Sequence, residues 1–184
     1  MFRRAFNATV ERHATKDFIK AVKRDDTATA HLLLITDMVD VNYRKDITSV
    51  FTSARADTSP IRLAIDNDSR PMLELLVKHG ADINQQMIDG FYQLHPFQYA
   101  AEHAKTNCLK FLLDHPDTDL DKPLIMDDDG PFLEPLFIQG LEKYANTGSL
   151  PSASAHLLHE KLTEIAESKK AAAYDATAFK KLKR

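Results

Sequence analysis

Residues 59 to 84 read SPIRLAIDNDSRPMLELLVKHGADIN, and the fold turns on whether this stretch is one supersecondary unit that the chain repeats. Ile61, Ala64 and Ile65 fall at i, i+3 and i+4 behind Pro60, which predicts a short helix with proline in its first turn, where the missing N–H is not needed. Ser59 stands at the N-cap position. Met72, Leu73, Leu75, Leu76 and Val77 mark a second helix, which ends at KHGAD, where Gly80 can supply a left-handed residue. The stretch therefore predicts two antiparallel helices and a turn.

The unit recurs. Pro60, Ala64, Leu73, Leu76 and Val77 find Pro96, Ala100, Leu109, Leu112 and Leu113, each 36 positions further on. Upstream, Ala64, Ile65, Leu76 and Val77 meet Ala21, Val22, Leu33 and Leu34 at a spacing of 43, and DVN at Asp40 to Asn42 echoes DIN at Asp82 to Asn84. A partial fourth copy has a helix start at Pro135, Leu136 and Phe137 and a second helix in AHLLHEKLTEIAE, Ala155 to Glu167, but Gln139 and Gly140 fill its small-residue slots.

These residues resemble the ankyrin repeat, with its period near 33 residues, its T-P-L-H-x-A start and its G-A-D-type turn. The match is strongest at residues 59 to 84 and good at HPFQYAAEHAKTNCLKFLLDHPDTDLD, where His95 replaces the Thr and Pro116 the Gly. The resemblance implies an all-α solenoid of stacked helix-turn-helix repeats with protruding loops or hairpins. The expected organisation is a capping helix at 1–14, an ankyrin-repeat domain at 15–169 (15–57, 58–93, 94–130 and 131–169), and a basic tail or helix extension at 170–184. Ala21, Ala64 and Ala100 are read as small residues that let neighbouring helices approach.

Composition excludes several function classes. The 184 residues carry 27 acidic and 24 basic side chains, a net charge of −3, which gives no overall reason to expect nucleic acid or an anionic membrane. The longest aliphatic run, LLLI at Leu32 to Ile35, falls far short of the roughly 20 residues a bilayer span needs. With Cys108 the lone cysteine, no internal disulfide can form, and a cytoplasmic, monomeric protein is expected, in the host cytosol if it is a secreted bacterial effector. In MFRRAFNATVERH, Phe2, Phe6 and Val10 share one helical face; a transit peptide could share that pattern, but Glu11 and the lack of a small-residue cleavage site favour the capping helix.

The resemblance implies binding of a protein partner through the concave side, formed by inner helices and loop tips. By position in the repeat, the exposed ends of the inner helices are Lys23 and Arg24, Asp66 and Asn67, and Glu102 and His103. The tip MIDGFYQLHP has two residues more than the family's D-G-x-T-P and so gains Phe91 and Tyr92, while YRKDITSVFTSARAD, an outsized loop, brings Arg44 and Lys45. These aromatics are either recognition residues or tuck back onto the solenoid. The alternative function is a regulatory or targeting module of a larger enzyme or effector, with any activity outside these residues.

Catalytic and metal chemistry finds little support. An EF-hand loop turning at Gly130 would need oxygen ligands at 125 and 136, where Ile125 and Leu136 stand, so Asp127 to Asp129 read as a solvated acidic hairpin. HLLHE, with His156, His159 and Glu160, lacks the order of the zinc-protease H-E-x-x-H motif. Cys108 occupies the slot of Met72, where a buried thiol is inert. No phosphate loop, serine elbow or spaced carboxylate pair occurs, so neither an enzyme nor a cofactor is expected. The tail KKAAAYDATAFKKLKR reads as helix extension, charged contact or lead into a further domain.

Overall fold

Residues 59 to 84 fold as two antiparallel helices, α3 (Pro60–Asp66) and α4 (Arg70–Lys78), in a computed structural model. The structure describes residues 2–48, 55–89, 92–120, 125–126, 130–131, 153–154, 156–161, 163–165 and 167–168. Before this pair come α1 (Phe2–Lys23) and α2 (Thr27–Leu34), and after it α5 (Pro96–Glu102) and α6 (Thr106–Asp114). One continuous helix thus covers both the segment expected as a cap and the first inner helix. The first helices of the pairs, α1, α3 and α5, pack side by side as an inner row, and α2, α4 and α6 form an outer row.

The periodic apolar residues face between the rows. Phe18, Val22, Ile61, Ile65, Met72, Leu73, Leu76, Phe97, Leu109 and Leu112 have no more than 1% of their surface exposed, and full burial of one such side chain stabilises by about 1.5–3 kcal/mol. Ala64 and Ala100 are fully buried in the inner row, where α3 packs against both α1 and α5. Pro60 and Pro96 sit at the helix starts, where proline fits.

Backbone strain recurs with the repeat. Asp25, Asp68 and Ala104 all have positive φ (58°, 50° and 56°) in the turn between paired helices, and Asp37 and Gly80 (54° and 87°) close the outer helices α2 and α4. Gly80 therefore takes the left-handed role assigned to it. Where Pro116 replaces the glycine, the end of α6 is different: His115 is extended (φ −76°, ψ 129°), as a residue before proline must be. Ser59 corrects its expectation. It occupies the N-cap position of α3, but its hydroxyl donates to Asp57 Oδ1 at 2.9 Å instead of accepting from the helix.

Between the helix pairs the chain runs out into hairpins: β1 (Asp46–Thr48) with β2 (Arg55–Asp57), β3 (Met87–Asp89) with β4 (Tyr92–Leu94), and β5 (Ile125–Met126) with β6 (Gly130–Pro131). They join edge to edge into a six-stranded antiparallel sheet in sequence order, through Ala56 opposite Asp89 and Gln93 opposite Ile125. The outsized loop at 43–57 is thus a hairpin at its base, and residues 49–54 lie outside the described residues.

Side chains tie each repeat to the next. Asn42 donates Nδ2 to the Gly80 carbonyl (3.1 Å) and accepts from the Asp82 N–H (2.8 Å). Asn84 repeats the device, donating to the Asp117 carbonyl (2.7 Å) and accepting from the Asp119 N–H (2.8 Å). The DVN and DIN echo is therefore a pair of inter-repeat clamps. Asp68 caps the helix of the following repeat, accepting from the Cys108 N–H at 3.0 Å and Asn107 Nδ2 at 2.8 Å. Of the fourth copy, the first helix expected at Pro135 lies outside the described residues; helical residues at 156–161 dock through Leu158, 1% exposed, and Lys161 Nζ reaches Asp114 Oδ1 at 3.3 Å.

Candidate binding face

The sequence places a cation where the repeat start would have its histidine: Arg62, in the apolar run IRLAI. Helical spacing turns Arg62 away from the inter-row core and toward the hairpins, and it is only 8% exposed. A buried guanidinium needs partners. It donates to the Ile88 carbonyl and, through Nη2, to Asp89 Oδ1 at 3.1 Å, and Nε lies 4.0 Å from Asp66 Oδ2. Its Cζ sits 4.7 Å from the centre of the Tyr99 ring, a cation–π arrangement.

The neighbouring inner helix completes the cluster. Tyr99 Oη donates to Asp66 Oδ1 at 2.6 Å, linking α5 to α3. His103, one turn on, lies with its ring centre 4.2 Å from that of Tyr99 and Nε2 3.0 Å from Asp89 Oδ2. Two inner helices and the tip of β3 thus hold one connected set: Arg62, Asp66, Asp89, Tyr99 and His103. Burial opposes the Arg62 charge, but Tyr99, Asp89 and Asp66 outweigh it and its pKa is raised. Burial, then the bond to Asp66, pushes the Tyr99 phenol up. Beside them Glu102 is half-buried, and burial, with Asp89 adding and His103 opposing, raises its carboxyl above the usual carboxylate range.

Several residues expected at the partner surface are engaged in holding the array. Asn67 donates to the carbonyls of Val22 (3.1 Å) and Lys23 (3.4 Å), closing the end of α1 from the next repeat. Arg44 donates to the Gln86 carbonyl (3.1 Å), and its Nε stands 3.9 Å from Asp57, whose carboxylate is buried and accepts from the Ile88 N–H at 2.7 Å. The Lys45 carbonyl accepts from the Thr58 N–H at 3.1 Å, while its side chain is exposed, as are Lys23 and Arg24 at the end of α1. Phe91 lies outside the described residues; Tyr92 is described by its backbone, opposite Asp89 and Met126. Of the residues named from sequence, Asp66, Glu102 and His103 come together, and Lys23, Arg24, Arg44 and Lys45 belong to the first repeat. Arg62, Asp89 and Tyr99 were missed; the charge inside an apolar run was the available signal.

Cys108 is fully buried, and burial, then Asp68, pushes its thiol up to about 12, so it carries no reactive thiolate at neutral pH. His156 and His159 are exposed and line an open depression with Glu160 and Glu164, and among the described residues no three His, Cys, Asp or Glu side chains gather as metal ligands. Asp127 to Asp129 lie outside the described residues. No helix among the described residues is long and apolar enough to cross a membrane.

With this geometry in place, known proteins agree on the class. A model of ankyrin repeats, in three copies, matches residues 18–123, more than half of the chain, and the chain belongs to the ankyrin repeat family. A crystal structure of EF0377, an ankyrin repeat protein, is similar at a TM-score of 0.52 and 22% identity, covering 80% of this chain. This chain spans 62% of that structure, and at such identity the likeness is one of fold. No curated protein matches the sequence. Ankyrin repeats are in general protein–protein interaction modules.

Proposed function

We propose that this chain is a protein-binding module rather than a catalyst, and that a partner docks on the concave face where α3 and α5 end beneath the tip of β3. One observation carries this reading. His103, Asp89 and Asp66 keep 40%, 30% and 41% of their side-chain surface exposed, yet Asp89 is paired with the buried Arg62, Asp66 accepts from the buried Tyr99, and His103 is bonded to Asp89 and lies against the Tyr99 ring. Solvent-facing polar groups held this firmly bind without the usual loss of side-chain freedom, which for such side chains is about 0.5–1.5 kcal/mol each. Lys23 and Arg24 extend the same inner row and form its basic rim, where charge speeds association more than it adds affinity. The proposal includes a monomer acting in the cytoplasm, with Cys108 a free thiol in the core.

The test is a selection of binders from a random linear peptide library on the wild-type chain, followed by titration against variants. His103→Ala should weaken the selected binders about tenfold or more, the cost of a central contact. Glu74→Ala, on α4 where Glu74 is paired with Arg70 (2.6 Å), should leave them unchanged. Binders that ignore His103→Ala and respond to Glu74→Ala would place recognition on the outer row instead.

A further inference from the structure

The hairpins build their sheet by edge addition, and one edge is left over. β3 adds to β2 at Ala56 opposite Asp89, and β5 adds to β4 at Gln93 opposite Ile125. At one end of the sheet stands β6, where Pro131 has no N–H to offer another strand. At the other end stands β1, Asp46–Thr48, which holds no proline. The Thr58 N–H donates to the Lys45 carbonyl at 3.1 Å, so Lys45 and Ile47 turn their backbone groups toward β2. By the alternation of an antiparallel ladder, Asp46 and Thr48 turn their N–H and C=O groups outward. A hairpin precedes α3 and another precedes α5, but in the first repeat the corresponding residues, 2–16, are helix and supply no strand to β1.

The repeat register points to what fits there. β3 is held by the inner helix that follows it, where His103 meets Asp89 at 3.0 Å and lies against the Tyr99 ring. Spacings of 36 and 43 carry Tyr99 and His103 back to Leu63 and Asn67, and then to Lys20 and Arg24 at the end of α1. Both cations are exposed. Lys20 is in a surface pair with Asp17 (2.9 Å), and Arg24 makes no ion pair among the described residues, while its neighbour Asp26 accepts from the Thr29 N–H to cap α2.

We propose that an extended segment of the protein partner adds to the edge of β1 as a further strand, with a carboxylate set against Arg24 and Lys20. Main-chain bonds to Asp46 and Thr48 hold the segment, and the two cations select its charge. The inference keeps the reading that a protein partner docks and adds a contact apart from the His103 cluster, so either can fail without the other. A second copy of this chain is disfavoured as the strand, because two-fold pairing of β1 with β1 would bring Lys20 and Arg24 of both copies to one seam.

The peptides selected above supply the probes. One set should share an Asp or Glu within a run of strand-forming residues. N-methylation of alternate amides in a synthetic peptide of this set should weaken binding by about three- to tenfold for each bond lost, and methylation of the amides between them should not. In the protein, Thr48→Pro removes an outward N–H without touching the ladder to β2, and should weaken the set to the same degree at an unchanged melting temperature. Arg24→Glu should weaken the acidic peptide and prefer the same peptide carrying Lys at that position. If Thr48→Pro lowers the melting temperature, the methylation series decides. Binders that are all lost in His103→Ala and indifferent to methylation would overturn the added strand and leave the concave face standing. A methylation-sensitive set that His103→Ala does not touch would support the strand even where the concave face fails. Methylation-sensitive peptides with no acidic residue, or indifferent to Arg24→Glu, would overturn the charge assignment. A chain that sediments as a dimer, and as a monomer in Thr48→Pro, would put a second copy on the edge and overturn the partner strand.

Discussion

Asn84→Ala removes one side chain and should uncouple two repeats. The amide makes two bonds to the following repeat, Nδ2 to the Asp117 carbonyl at 2.7 Å and Oδ1 from the Asp119 N–H at 2.8 Å. Each such bond contributes about 0.5–1.5 kcal/mol net. Asn84 is half-buried, so the freed backbone groups can turn to water, and the expected loss lies toward the lower part of the sum, about 1–2 kcal/mol. For a chain of this length that lowers the melting midpoint by about 2–8 °C. Asn84→Asp is the sharper control: it keeps an acceptor for Asp119 but sets a carboxylate oxygen against the Asp117 carbonyl, and should cost at least as much. Because each repeat touches only its neighbours, amide exchange should quicken in α6 more than in α2. Calorimetry with hydrogen exchange decides the matter. Midpoints within about one degree of wild type for both variants, against the two to eight expected, would show that the clamps do not couple the repeats.

Ala104 is exposed and held at φ 56°, where a β-carbon is strained by about 1–2 kcal/mol. Ala104→Gly should raise stability by about 0.5 kcal/mol or more after the greater freedom of the unfolded chain is subtracted, and a lowered urea midpoint would contradict it. Glu102 supplies a pH dependence. Burial raises its pKa in the folded state, so the folded chain holds that proton more tightly, and the penalty grows as pH rises from the ordinary glutamate range through the folded value. Glu102→Gln should therefore be no less stable than wild type at neutral pH, with the difference closing below the ordinary glutamate range; a variant less stable at pH 7 would refute this sign.

The helix pairs were legible because the signals for them are local. A proline, an alanine four residues on and leucines one turn apart specify one buried face whatever lies beyond, and Gly80 marks a left-handed residue within its own turn. The same position-by-position reading put Asp66, Glu102 and His103 at the ends of inner helices, where α3 and α5 do end. Ser59 shows its limit: a serine before a helix reads as a cap, but the hydroxyl goes to Asp57, which only the packing of the hairpin base against α3 brings into reach.

What the sequence by itself determined is the repeat, its rows of helices and the positions of its exposed ends, all set by residues a turn or two apart. Tertiary structure alone decided how side chains from different repeats meet. Arg62 and Asp89 are 27 residues apart, and Tyr99 and Asp66 are 33 apart. Nothing local to either member of a pair announces the other. The hairpins likewise become one sheet only when stacking brings Ala56 beside Asp89 and Gln93 beside Ile125. The physical reason is that burial periodicity follows from the geometry of one helix, whereas a polar cluster depends on the offset between neighbouring repeats, which is fixed by the packing at Ala64 and Ala100 and by the asparagine clamps.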